Sequence, residues 1–199
     1  MRSSLAVLAF SAVLGSGPLG AQAARPEPSP QPRPSGVRVA VSPRLVSVDD
    51  GDTVAIRWAA GDLETVRILG IDTPETRHLE HDIPFDQPFG PEARAFAQGV
   101  FAGAQSVELL RAKTLDPYGR TLGYVFVNGA NYSILVLAAA LAEESVTRYG
   151  DNGFAREAAE VLAAAKAAGP LAFEPPGIYR ARMRELAKAL KARGEYPSR

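Results

Sequence analysis

The chain has 199 residues, of which 46% are hydrophobic and 22% charged, so its length and composition suit one packed domain with appendages. It contains no cysteine, which excludes disulfides and cysteine-ligated metal sites. Its formal net charge is zero, but residues 24–177 carry 14 Lys and Arg against 20 Asp and Glu, whereas residues 178–199 carry 7 against 2.

The first 23 residues have the features of a secretory signal peptide. Arg2 supplies the positive charge, an apolar run follows over residues 5–14, and Ala21 and Ala23 form a small-x-small cleavage site. The apolar run is too short to span a bilayer, and no cysteine follows it for lipid attachment. The sequence therefore predicts export, to the exterior or the cell envelope, without a stable membrane anchor.

A proline-rich segment follows at residues 24–38. Its composition predicts an extended, solvated linker, with a peptide ligand for an SH3-type domain as the alternative. We place the folded domain at residues 39–169 and a basic tail at residues 170–199.

The domain begins with strand patterns. Residues 37–48 predict one or two edge-strand pieces interrupted by Pro43, and residues 54–58 predict the next strand. A turn at Gly61 leads into the strand that carries Arg67. This hairpin is expected to set Asp52 and Asp72 at neighbouring positions.

The stretch R-I-L-G-I-D-T-P-E, residues 67–75, is a strand that breaks at Gly70. In an uninterrupted strand Arg67 and Asp72 would face opposite ways, so bringing them together needs a bulge or a strand end at this glycine. A cation and two carboxylates, the second from Glu75, suit a phosphate ester held by a metal ion. The alternative is an arginine–glutamate pair on an ordinary surface turn.

Residues 77–90 form a polar segment with two prolines, His78 and His81. Two histidines three residues apart suggest a metal site, but no third ligand pattern accompanies them, and a solvated loop is the other interpretation. Pro91 then occupies the first turn of a predicted helix, whose apolar stripe at helical spacing indicates a core face.

The second half of the domain alternates strands and helices. Residues 106–110 and 121–127 predict strands joined by a turn at residues 116–120, and an apolar helix capped by Asn131 or Ser133 extends to about residue 142. A last helix at residues 154–168 is followed by Gly-Pro. Five strands with helices inserted late predict an α+β fold.

Three short motifs occur in order: D-G-D-T at residues 50–53, R-x4-D-T-P-E at residues 67–75 and D-P-Y-G-R at residues 116–120. Each is weak alone, but their order and spacing resemble the thermonuclease, or staphylococcal-nuclease-like, family from about residue 39 to residue 169. The resemblance implies an OB-fold, a five-stranded β-barrel with about three flanking helices.

The resemblance also implies a calcium site. Asp52 and Asp72 would supply carboxylate oxygens and Thr73 its backbone carbonyl, and hard oxygen ligands suit Ca²⁺. Asp50 would assist from outside the ligand set.

The remaining site residues are carried over in the same way. Arg67 and Arg120 would hold the phosphate oxygens, Glu75 would act as general base for the attacking water, and Tyr118 would contact the nucleotide phosphate. Pro117 stands where the family often has a basic residue, so one phosphate contact is expected to be absent.

The function implied is a calcium-dependent endonuclease, acting as a monomer on DNA and RNA with little sequence preference and leaving 3′-phosphate ends. The alternatives are a noncatalytic nucleic-acid-binding module of the same fold and a calcium-binding surface protein. The complete set of acidic and arginine positions favours the enzyme, whereas the acidic domain charge is unexpected in a nucleic-acid-binding protein.

The tail predicts a helix over residues 178–193. Its apolar stripe comprises Tyr179, Met183, Leu186 and Leu190, and basic residues cover much of the remaining surface. We expect this helix to dock on the domain, with contact to nucleic acid or another acidic surface as the alternative.

Overall fold

The computed structural model describes residues 29–198. The strands are β1 (Arg38–Val41), β2 (Val46–Asp50), β3 (Thr53–Ala59), β4 (Asp62–Ile68), β5 (Ile71–Asp72), β6 (Val107–Leu115), β7 (Thr121–Val127), β8 (Ala130–Asn131) and β9 (Glu143–Glu144). The helices are α1 (Gly90–Ala102), α2 (Tyr132–Ala138), α3 (Val146–Tyr149), α4 (Ala155–Ala168) and α5 (Pro176–Arg193). The predicted α+β class is confirmed. The predicted signal peptide lies outside the described residues.

The main sheet has the strand order β1-β6-β7-β4-β3-β2, with β8 paired to β7. Its neighbours are antiparallel except β4 and β7, which run parallel and place Arg67 opposite Leu122. Strands β5 and β9 form a separate pair. Without β8, the main sheet thus has six strands, whereas five were predicted. Among the described residues no ladder of hydrogen bonds joins β1 to β2. Pro43 lies in a short 3-10 turn between those two strands, as its missing N–H favours.

The core lies between this sheet and helices α1, α2 and α4. Side chains that are fully or nearly fully buried come from every central strand and from all three helices: Val54, Val66, Ile68, Leu109, Tyr124, Val125, Ala97, Phe101, Val136, Leu137, Ala158 and Val161. Helix α2 is shorter than predicted, ending at Ala138, and the Asn131 side chain caps it by accepting from the Ser133 N–H at 3.0 Å. The burial of α2 agrees with its apolar sequence.

A buried ion pair crosses the sheet away from the proposed site. The Glu64 carboxylate accepts from Arg111 at 2.7 and 2.8 Å, from the Thr121 hydroxyl at 2.7 Å and from the Trp58 indole N–H at 2.7 Å. Four hydrogen bonds offset the cost of burying this carboxylate. They lower the pKa of Glu64 below its ordinary value even though burial by itself would raise it.

From residue 29 onward, where the structure describes it, the proline-rich segment lies against the domain and is not a free linker. Residues 29–36 follow β6 through backbone hydrogen bonds from Gln31 to Lys113, from Leu115 to Ser29 and from Gly36 to Arg111, each 2.8–2.9 Å long. The strand edge offers N–H and C=O groups that an extended chain can satisfy.

Helix α5 docks on the segment that connects β5 to α1. Tyr179 and Met183 pack on the buried Ile83, and the Tyr179 hydroxyl donates to the Phe85 carbonyl at 3.1 Å. The segment at residues 77–90 is therefore partly exposed and also forms the surface on which the tail helix docks. None of the helices in the described part of the chain is long and apolar enough to cross a membrane.

Candidate active site

The corner after β4 brings Arg67 and Asp72 together as the sequence predicted. Strand β4 ends at Ile68, Gly70 adopts a left-handed backbone with φ of 83°, and β5 begins at Ile71. Glycine adopts this backbone without steric cost. As a result the Arg67 guanidinium donates to the Asp72 carboxylate at 2.7 Å, although the two residues would face opposite ways in a continuous strand.

The D-G-D-T turn between β2 and β3 supplies the second carboxylate. The Asp52 side chain is 3% exposed and accepts from the other Arg67 Nη atom, from the Thr73 backbone N–H at 2.9 Å and from the Thr53 hydroxyl at 3.1 Å. The intervening Gly51 lies against Thr73. Asp52 and Asp72 thus share one guanidinium.

Glu75 lies on the same corner, held by the segment that precedes α1. Its backbone N–H donates to the Gln87 Oε1 atom at 3.1 Å, and the Gln87 amide donates in turn to the Glu174 carbonyl at 2.6 Å. Gln87 is 1% exposed, so this link between the corner and the start of the tail is buried.

Arg180, from the first turns of α5, enters this cluster. Its Nη1 atom donates to Asp72 Oδ1 at 2.9 Å and to Glu75 Oε1 at 2.5 Å, and its Nη2 atom donates to Asp72 Oδ2 at 2.7 Å. Sequence reasoning placed Arg180 on the basic surface of the tail helix and missed this role. The only local signal was its position directly after Tyr179 on the apolar stripe.

The three carboxylates have pKa values shifted in different directions, because burial and the two arginines act on each of them to a different extent. Burial raises the pKa of Asp52 above its ordinary value, and Arg67 offsets only part of that effect. Burial and the nearby charge of Asp52 raise the pKa of Glu75 to about 7 despite Arg180. Burial would also raise the pKa of Asp72, but the hydrogen bonds and charges of Arg180 and Arg67 outweigh it and lower that pKa.

The donor set suits a hard divalent cation. Within residues 29–198, no three His, Cys, Asp or Glu side chains are grouped so that they alone could hold a metal ion. The predicted site uses two carboxylates, Asp52 and Asp72, and the Thr73 carbonyl instead, which is oxygen chemistry of the kind Ca²⁺ prefers. The Thr73 hydroxyl oxygen is buried and lacks a hydrogen-bond partner in the described part of the chain, so a polar group is still unmatched here.

Arg120 and Tyr118 lie on the β6–β7 turn and do not join the cluster by direct contact. Asp116 organises this turn, accepting from the Tyr118 and Arg120 backbone N–H groups at 2.9 and 2.8 Å and from Arg120 Nε at 2.7 Å. No hydrogen bond or ion pair found among the described residues connects Arg120 or Tyr118 to Asp52, Asp72 or Glu75. Tyr118 is 78% exposed and therefore accessible to a ligand.

His78 and His81 lie together with ring centroids 5.8 Å apart. His78 Nε2 lies 3.1 Å from the Thr76 hydroxyl and 3.7 Å from Asp50 Oδ2. Asp50 lies near enough to Asp52 and Glu75 for its charge to help raise the pKa of each. His78 exchanges backbone hydrogen bonds with Ile83 within the segment at residues 77–90.

The fold and the cluster define an α+β domain with arginines and carboxylates at one strand-to-loop corner. The sequence model of the family described as staphylococcal nuclease homologue matches residues 65–169, just over half of the chain. The chain therefore belongs to this family, and the predicted resemblance and OB-fold class are confirmed. Arg67, Asp72, Glu75 and Arg120 lie within the matched residues, and Arg180 lies beyond them.

Named relatives agree with this assignment. The chain is 35% identical over 109 residues to the SPbeta prophage-derived endonuclease YokF of Bacillus subtilis, covering 52% of this chain and 36% of that protein. It is 34% identical over 109 residues to Endonuclease YncB of Bacillus subtilis, covering 52% and 50%. It is 38% identical over 85 residues to the Thermonuclease of Staphylococcus hyicus, covering 42% and 47%. The aligned part thus spans half or less of each relative's length.

Proposed function

We propose that this protein is an exported, Ca²⁺-dependent endonuclease that hydrolyses phosphodiester bonds of DNA and RNA with little sequence preference and leaves 3′-phosphate ends. The observation that carries the proposal is the convergence of Asp52, Arg67, Asp72 and Glu75 on one corner, where all four side chains are between 3% and 20% exposed. Two relatives are named endonucleases and a third thermonuclease, which supports a nuclease.

In this proposal Asp52, Asp72 and the Thr73 carbonyl hold the ion. Bound there, Ca²⁺ would supply Lewis-acid polarisation of the phosphate. Burial of the two carboxylates fits this role, because a buried negative charge gains most from a nearby cation.

The chain's own residues would perform the other steps. Arg67 would bind the phosphate oxygens and stabilise the charge that develops on them, because its guanidinium is already oriented by two carboxylates. Arg120 and the exposed Tyr118 would contact the phosphate from the β6–β7 turn. Strand β7, which follows this turn, pairs in parallel with β4, the strand that carries Arg67. To do so, Arg120 must either break its hydrogen bond with Asp116 or use its other N–H groups for the phosphate.

Glu75 would accept the proton of the attacking water. It is fixed through Gln87, and a carboxyl whose pKa is raised to about 7 suits general base catalysis near neutrality. As the water oxygen attacks phosphorus, its proton would move to a Glu75 carboxylate oxygen. The bond from phosphorus to the 5′ oxygen would break, and the released 5′ oxygen would take a proton from solvent.

Export rests on the signal-peptide pattern of residues 1–23, and we propose that the protein acts as a monomer.

One observation favours a second candidate, the noncatalytic nucleic-acid-binding module. Arg180 covers Asp72 and Glu75, which are the residues that the chemistry needs.

The deciding experiment is digestion of plasmid DNA and RNA by the purified protein with CaCl₂ and then with excess chelator. The proposed function predicts cleavage with Ca²⁺ that stops with chelator, and end-labelling should find 3′-phosphates. Undiminished cleavage in chelator would refute the metal mechanism. Binding of both nucleic acids with no cleavage in CaCl₂ would favour the noncatalytic module.

A further inference from the structure

Helix α5 is anchored at both ends on the segment at residues 77–90. Near its start, Tyr179 and Met183 are each 4% exposed and pack on Ile83. Near its end, Lys191 pairs with Asp82. Beyond the helix, the Tyr196 hydroxyl donates to the Leu79 carbonyl at 2.8 Å. These contacts determine where Arg180 lies.

From this position Arg180 satisfies both oxygens of one proposed metal ligand. Its two Nη atoms form a parallel pair of hydrogen bonds with Asp72 at 2.9 and 2.7 Å, and Nη1 also reaches Glu75. Parallel pairing of this kind is among the strongest arrangements of charged hydrogen bonds. The Asp72 side chain is 5% exposed and the Arg180 side chain 21%, so water screens the pair only weakly.

We propose that Arg180 is an intramolecular competitor of the divalent cation, so that the C-terminal helix sets the metal affinity of the site. This inference rests on the proposed function, because it takes Asp72 to be a metal ligand. Arg67 already occupies one lone pair of Asp72 Oδ1, and Arg180 takes a second on Oδ1 and one on Oδ2. No lone pair of Oδ1 is then left for a divalent cation, and the charge of Arg180 repels the ion from Oδ2. Arg180 must therefore turn away from Asp72 before Ca²⁺ binds.

The movement required is that of a side chain and not of the helix. The anchors at Tyr179, Met183, Lys191 and Tyr196 involve none of the Arg180 atoms, so the helix stays docked when Arg180 leaves. The partial exposure of the Arg180 side chain leaves a route to solvent.

The Ca²⁺ affinity should depend on the fraction of molecules in which Arg180 does not cover Asp72. When only a fraction of molecules has Asp72 open, the measured dissociation constant is the intrinsic value divided by that fraction. If Arg180 covers Asp72 in nine molecules of ten, removing it should tighten Ca²⁺ binding about tenfold.

The test is isothermal titration of CaCl₂ into the wild-type protein, Arg180→Ala and Arg180→Gln, with Arg184→Ala as the matched control. Arg184 is an exposed arginine on the same helix, so its replacement makes the same change in net charge. We expect about tenfold tighter binding in both Arg180 variants and wild-type affinity in Arg184→Ala. Thermal melting of each variant checks that α5 remains folded.

A measurement on the wild-type protein complements the variants. The Arg180 Nε–H resonance of the labelled protein should shift on addition of CaCl₂ as the guanidinium leaves Asp72.

Equal or weaker Ca²⁺ affinity in the Arg180 variants, or an unmoved resonance at saturating CaCl₂, would overturn the proposal while leaving the nuclease function intact. A lower kcat/KM with unchanged Ca²⁺ affinity would likewise overturn it and make Arg180 a phosphate ligand. If the wild type and all variants bind no Ca²⁺, the metal-dependent function itself fails.

Discussion

The backbone of Gly51 lies so close to Thr73 that a Cβ atom added to the glycine would be 2.7 Å from the threonine hydroxyl oxygen. The contact joins the D-G-D-T turn to the D-T-P-E corner, and the Tyr132 hydroxyl donates to the Gly51 carbonyl at 2.7 Å from the other side. Two segments that carry the proposed metal ligands are thus packed directly on one another.

Gly51→Ala should therefore separate these segments. The extra methyl must displace Thr73, and overpacking of this kind costs about 1–3 kcal/mol in the free energy of unfolding. Gly99→Ala is the control, because a Cβ there meets no atom within 4 Å and alanine is the better helix former in α1. Denaturant unfolding should show a loss for the first variant and a small gain for the second. Equal stability of Gly51→Ala and the wild type would mean that the two segments do not pack as described.

The two arginines of the site should differ in their effect on stability. Both Arg67→Ala and Arg120→Ala should lower kcat by roughly a hundredfold or more, since lost stabilisation of a developing oxyanion commonly costs that much. Arg67 lies between two buried carboxylates, so its loss should also cost about 3–5 kcal/mol of stability. The Arg120 pair with Asp116 is closer to the surface and should contribute about 0–1 kcal/mol.

Single-turnover cleavage and denaturant titration measure these two effects separately. The buried pairs of Arg67 predict a marked loss of stability in Arg67→Ala and little loss in Arg120→Ala. Near-wild-type turnover in a folded Arg67 or Arg120 variant would argue that the arginine does not act on the phosphate.

Glu75→Gln and Asp72→Asn should separate proton transfer from metal binding. Glu75→Gln keeps the size of the side chain but removes the basic oxygen, so kcat should fall roughly 10²–10⁴-fold. Its Ca²⁺ affinity should change much less than that of Asp72→Asn, which loses a proposed ligand. Calorimetric Ca²⁺ titration beside single-turnover cleavage checks both variants. Comparable loss of Ca²⁺ in the two would make Glu75 a ligand and our assignment of its role wrong.

The buried Glu64 carboxylate should make stability depend on pH. Its pKa in the folded state lies below the model-compound value of 4.5, so its contribution is fully present above that pH and is lost as pH falls through the folded value. Glu64→Gln should cost about 3–5 kcal/mol at neutral pH, because it leaves Arg111 buried without its anion. The variant should also lose less stability than the wild type when pH is lowered below 4.5.

Glu108→Gln is the control for this experiment. Glu108 also pairs with an arginine of the same sheet, Arg38, but at 3.4 Å and with 38% exposure. Its replacement should change stability by less than about 1 kcal/mol. Identical acid profiles for Glu64→Gln and the wild type would show that the carboxylate does not titrate as described.

Deletion of residues 178–199 should lower the melting temperature. It removes the buried Tyr179 and Met183 and exposes Ile83, and each such side chain contributes about 1.5–3 kcal/mol by burial. If the tail only docks, the salt dependence of DNA binding should be unchanged in the deletion. A melting temperature equal to that of the full chain, or a flatter salt dependence, would instead support a tail that recruits nucleic acid.

Sequence alone was sufficient for the family, the α+β class and the corner at Gly70. These depend on local chemistry, since the residues of each motif are adjacent and Gly70 is the residue that permits the break between Arg67 and Asp72. The proximity of Asp52 to the corner depends on two features together. The β3–β4 register sets Thr53 opposite Arg67, and the turn at Gly70 then brings the Thr73 backbone N–H to Asp52.

Contacts between distant segments required the tertiary structure. Arg180 lies 108 residues from Asp72 in the chain, and its position directly after Tyr179 on the apolar stripe does not show which carboxylates it reaches. Its role depends on where Tyr179 and Met183 dock, and docking of one apolar stripe on one buried isoleucine is a matter of shape that composition and periodicity do not encode. The same contact explains why the segment at residues 77–90, predicted as a solvated loop, also forms the docking surface of the tail.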